Sequence, residues 1–140
     1  MYVEIDSLIE ELDSAGIAES AERTRTECAA TVTEWAGRLT VSYEEESEGG
    51  KISSLITVSD GEITVKRSGA IESEFIFREA QTTHSLYKIP PYSFDTEIYT
   101  KKIRNNLTEG AGDLSILYEM TLGGSKKRVR MKILLSEGKS

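Results

Sequence analysis

The chain has 140 residues, a formal net charge of −7, 38% hydrophobic residues and 29% charged residues. That length fits one domain able to bury a core without disulfides or a structural metal, and the acidic balance argues against nucleic acid or an anionic membrane as the default partner. With one cysteine and one histidine, no intramolecular disulfide can form and an ordinary zinc or iron site lacks ligands, so no metal and no cofactor are expected, and a reducing cytoplasm is the expected location.

The chain opens Met1-Tyr2-Val3-Glu4-Ile5-Asp6, which has neither the basic nor the apolar region of a signal peptide. No run approaches the ~20 apolar residues of a membrane helix. Residues 1–21 form an N-terminal segment with two readings. Ile5, Leu8, Ile9 and Leu12 line one face of a helix, with Ser7 and Glu10 at capping-box spacing and Gly16 as a stop. Val3, Ile5 and Ser7 also alternate with Glu4 and Asp6, which suits a first strand.

From residue 22 to 137 the pattern is β. Arg23 to Glu34 is rich in Thr and Val, and Gly37 marks a turn. Leu39, Val41, Tyr43 and Glu45 alternate with Thr40, Ser42, Glu44 and Glu46. Ile52 to Ser59 and Glu62 to Ser68 flank Asp60-Gly61, a two-residue hairpin signal because both residues tolerate positive φ. Glu74 to Glu79 and Thr82 to Lys88 form a short pair, ended by Pro90-Pro91, which removes two backbone donors. Phe94, Thr96, Ile98 and Thr100 share one face of the next strand, and a loop is expected over Leu107 to Gly112. Leu114, Ile116, Tyr118, Met120 and Leu122 then share a face, Gly123-Gly124 turns the chain, and Val129, Met131 and Ile133 alternate with Arg128, Arg130 and Lys132. About eight to ten short strands at turn spacing, with no βαβ alternation, predict one all-β antiparallel barrel or sandwich.

Several segments in order resemble the YwiB-like family of uncharacterised bacterial proteins. They are Thr26-Glu27, Val41-Ser42-Tyr43-Glu44-Glu45, Asp60-Gly61-Glu62-Ile63-Thr64-Val65-Lys66-Arg67-Ser68-Gly69, Thr100 with Ile103, and Gly112-Asp113-Leu114-Ser115-Ile116-Leu117-Tyr118-Glu119-Met120. The resemblance implies a calycin-like, lipocalin-style up-and-down barrel, a fold that often holds a small apolar ligand inside. It carries no activity with it. The sequence departs from the family pattern at Cys28, where glycine is usual, and over Tyr87-Lys88-Ile89-Pro90-Pro91-Tyr92, where only Tyr87 fits.

Two inward faces, Leu39/Val41/Tyr43/Glu45 and Ile63/Val65/Arg67, begin apolar and end charged. Glu45 and Arg67 are therefore expected to project inward near one end, as a structural pair, as a rim pair in water, or with the arginine fork receiving a ligand carboxylate or phosphate. Tyr43, Tyr87, Thr100, Tyr118 and Met120 are the candidate wall, the alternative being ordinary core packing. Glu44 and Glu45 face opposite sides of a strand and make a poor acid–base pair. Arg128, Arg130 and Lys132 form a basic stripe that either pairs with acidic neighbours, protects an edge, or meets an anionic partner. Nothing in the spacing of Cys28 and His84 supports a nucleophile–base pair.

The expected function is non-enzymatic binding of a small apolar or amphipathic molecule inside the barrel. The alternatives are a protein-interaction or homodimerisation module acting through an outer strand face, and an enzyme using Glu45 beside Arg67.

Overall fold

The structure, a computed structural model, describes residues 1–108 and 111–137. Eleven strands are present among them: β1 (Tyr2–Leu12), β2 (Ala18–Ala29), β3 (Thr31–Trp35), β4 (Arg38–Ser47), β5 (Gly50–Ser59), β6 (Glu62–Gly69), β7 (Ser73–Phe77), β8 (Gln81–Ile89), β9 (Tyr92–Thr108), β10 (Ala111–Leu122) and β11 (Ser125–Ser136). They form a six-stranded sheet, ordered β2-β1-β11-β10-β9-β8, and a five-stranded sheet, ordered β3-β4-β5-β6-β7. All pairings are antiparallel.

The N-terminal helix is not formed. Residues 5–12 belong to β1, which lies between β2 and β11. The physical reason is that a strand buries Val3, Ile5 and Ser7 together, whereas a helix over the same residues would leave the edge of β11 without a partner. The loop expected over Leu107 to Gly112 is also shorter than the glycines suggest, since β9 runs to Thr108 and β10 begins at Ala111; residues 109–110 lie outside the described residues.

The two sheets meet at both ends without merging into one hydrogen-bonded ring. On one side the chain passes from β2 into β3 through Ala30, whose N–H donates to the Met1 carbonyl at 2.9 Å. On the other side β7 lies against β8. Glu72 and Lys88 exchange backbone hydrogen bonds of 2.7 and 2.9 Å, the Thr83 hydroxyl donates to the Ile76 carbonyl at 2.5 Å, and the Ser85 hydroxyl donates to the Glu74 carbonyl. No strand pairing joins β2 to β4.

Register places inward side chains in layers. In the five-stranded sheet, Leu39, Val58, Ile63 and Phe77 make one cross-strand row, and Val41, Ile56, Val65 and Phe75 the next. The third row is Tyr43, Ser54, Arg67 and Ser73. Opposite these, Val3, Ile5, Ile98, Leu114, Ile116, Val129, Ile133 and Leu135 complete one hydrophobic core. The interior therefore grades from apolar to polar along the barrel.

Candidate functional site

The polar end of that gradient is not filled. A cavity of about 360 Å³ opens there, with an apolar floor that includes Ile5, Val65, Phe77 and Val129. Its polar wall carries Ser7, Thr24, Thr26, Glu45, Arg67, Ser73, Tyr87 and Tyr118. The volume falls within the ~300–1,000 Å³ of small-molecule sites.

Arg67 reaches the wall because Val65 and Arg67 share the inner face of β6, next to β7, the last strand of the five-stranded sheet. Its Nε is buried without a hydrogen-bond partner. No carboxylate lies within ion-pair distance of Arg67 among the described residues. Glu45 lines the same cavity but lies two strands and one row away, and the two do not pair. Arg67 is instead surrounded by hydroxyls. Ser54 stands beside it on β5 and Ser73 on β7, and its charge is felt by Tyr43 and Tyr118.

Burial pushes the Tyr43 hydroxyl above the usual phenol range, and Arg67 and Ser54 partly offset this. Burial likewise raises Tyr118, again opposed by Arg67. Both phenols therefore stay protonated at neutral pH and can donate. The Tyr43 hydroxyl and Ser54 Oγ nevertheless complete no hydrogen bond of ordinary geometry. Aromatic contacts brace two of the tyrosines across the sheets: Phe75 against Tyr87 at 5.8 Å and Phe77 against Tyr118 at 4.7 Å between centroids.

Of the seven residues singled out from sequence, Glu45, Arg67, Tyr87, Tyr118 and Met120 line this cavity. Tyr43 does not line it: Tyr43 is buried beside Ser54 and lines a second hollow with Cys28, Ala30 and Ser42. Thr100 pairs with Tyr118 but is a core residue, 0% exposed, with an unpartnered hydroxyl. Sequence reasoning missed Thr24 and Thr26 on β2, Ser7 on β1, and Ser73 and Phe75 on β7. Alternation along Thr24 and Thr26 was the signal available for β2.

Cys28 and His84 are not brought together: β2 and β8 are opposite edges of the six-stranded sheet. Burial, and then the charge of Glu45, raise the Cys28 thiol above its usual range. No group of His, Cys, Asp and Glu able to hold a metal occurs among the described residues. Among the described residues no helix is long and apolar enough to cross a membrane.

Comparison with known proteins agrees with this fold. The chain is 32% identical over 101 residues to the uncharacterized beta-barrel protein YwiB of Bacillus subtilis (strain 168), covering 72% of this chain and 71% of that one. The crystal structure of the ywiB protein from Bacillus subtilis superposes with a TM-score of 0.69 at 26% identity, covering 96% of this chain and 93% of that one. Residues 14–133 match the family described as a domain of unknown function, DUF1934. The chain belongs to that family, as a β-barrel relative of YwiB.

Proposed function

We propose that the barrel is a non-enzymatic, calycin-like binding protein for a small amphipathic molecule with an anionic head. The observation that carries this reading is the guanidinium of Arg67 at the wall of a cavity with an apolar floor, its Nε buried and unpartnered. Arg67 is half-buried, and a guanidinium N–H taken out of water with no carboxylate beside it is costly unless something completes it. A ligand carboxylate, sulfonate or phosphate would accept from the guanidinium and from nearby phenols. The apolar remainder of the ligand would lie on Ile5, Val65, Phe77 and Val129.

Two fluorescent probes of similar shape separate the head from the tail. Anilinonaphthalene sulfonate carries an anion and N-phenylnaphthylamine does not. Saturable binding of the sulfonate, weakened at least about tenfold in Arg67→Met while the neutral probe is unaffected, is the expected result. Equal binding of both probes to the parent protein would overturn the anionic head. Mass spectrometry of small molecules released from protein purified from its native host would then name the natural ligand class.

A further inference from the structure

A second polar constellation lies outside the barrel, on the face of the six-stranded sheet that points away from the core. Cross-strand register aligns Lys132, Ser115 and Arg104 in one row of β11, β10 and β9. The adjacent row is Arg130, Leu117 and Lys102. Four cations thus stand at the corners of a rectangle of about 10 by 7 Å, set by strand spacing and by two residues along a strand. Between them is a hollow of about 250 Å³ lined by all four, with Ser115 and Leu117 in its floor. A register shift at Leu117/Tyr118 interrupts the β9–β10 ladder beside it, and such irregularities bend a strand locally.

None of the four closes an ion pair among the described residues. Their neighbours do: Arg128, Lys101 and Lys126 all converge on Glu119, Arg128 also reaches Glu10, and Arg23 and Arg25 are held by Asp6 and Glu4. The stripe of Arg128, Arg130 and Lys132 therefore divides: among the described residues Arg128 is held by carboxylates, Arg130 closes no ion pair, and Lys132 stands opposite Asp6 without closing one. Lys132 is the member nearest an acid, since its charge helps lower Asp6.

We infer that this hollow binds a small phosphate-bearing anion with two or more negative charges. The size of the patch argues for a compact ligand over a polymer. The rows on either side carry acids, Glu10 and Glu119 beyond Arg130, and Glu4 and Asp113 beyond Lys132. A phosphate backbone crossing the hollow would meet carboxylates on leaving it, whereas one diphosphate group is surrounded by cations and reached by the Ser115 hydroxyl. Lys102, Arg104 and Arg130, with Lys132 only partly offset by Asp6 opposite it, repel one another in the free protein, and a bound dianion relieves that repulsion.

The test is a titration of sodium pyrophosphate into isotope-labelled protein, followed by amide chemical shifts. Saturable shifts confined to residues 102–104, 115–117 and 130–132 are expected, together with at least about a tenfold loss of affinity in the folded Lys102→Gln/Arg130→Gln double variant. Arg67→Gln should leave pyrophosphate binding intact, which keeps this site distinct from the interior one. Shifts spread equally over Arg23, Arg25 and Arg128, or no saturation at about 10 mM ligand, would overturn the proposal. So would displacement of pyrophosphate by a single-stranded RNA with a salt dependence steeper than four contacts, which would assign the hollow to a polymer.

Discussion

Arg67 shows how one residue can be written into a sequence with its environment half specified. Its inward direction followed from the Ile63, Val65, Arg67 alternation, and the structure agrees. Its isolation did not follow, because strand order and the distance to Glu45 depend on register between β4, β5 and β6. An unpaired, half-buried cation lowers the stability of the empty protein. Replacing Arg67 with Met should therefore stabilise the ligand-free barrel by about 1 kcal/mol, read as a higher urea midpoint, while weakening anionic ligands. A loss of stability would instead make Arg67 an integral part of the core. Cys28 offers a second check on the same interior. Burial and Glu45 both disfavour its thiolate, and the thiolate is the reactive form. Its alkylation by iodoacetamide near pH 8, followed by mass, should be slower than that of a free cysteine peptide, and Glu45→Gln should speed it.

At the scale of strands, the turns were legible where chemistry is local. Asp60-Gly61 and Gly123-Gly124 turn hairpins, with Gly61 at φ +72°. Non-local geometry was not legible. Gly112 looks like a loop residue in sequence, yet it sits inside β10 at φ +115°, where an added Cβ would lie 2.4 Å from the Asn106 carbonyl oxygen. Gly112→Ala should cost about 3 kcal/mol or more, because conformation and close approach both oppose it. Gly61→Ala, with open space around the Cβ, should cost only about 1 kcal/mol. Equal losses in chemical denaturation would remove the role of the close approach. The pairing of β1 with β2 adds a pH dependence. The Arg23 hydrogen bond holds the Asp6 carboxyl below its usual range. A depressed carboxyl contributes stability above its unfolded pKa, and that contribution is lost as pH falls through the folded value. The rise in melting temperature between about pH 3 and pH 6 should accordingly be smaller in Asp6→Asn than in the parent.

For the molecule as a whole, the barrel class was readable because alternation and turn spacing are properties of the chain itself. The division into two sheets was not, because it depends on β2 turning into β3 at Ala30 and on β7 meeting β8 through the Glu72–Lys88 bridge and hydroxyl-to-carbonyl hydrogen bonds in place of a regular ladder. The same division governs access to the cavity. β2 is an edge strand, exposed over residues 18–25, and Thr24 and Thr26 from it line the cavity. It is held by β1 on one side only, while β9 and β10 are paired on both sides. Strands with one partner open at lower free energy than strands with two, so β2 is the part of the wall able to yield to a ligand. Amide hydrogen exchange should be faster over residues 20–26 than over 114–120 in the empty protein. Anilinonaphthalene sulfonate at saturation should slow the first segment and leave the second unchanged, because only the first gains contacts it lacked. Uniform slowing of both would mean that the probe stabilises the fold globally, and entry past β2 would then have no support.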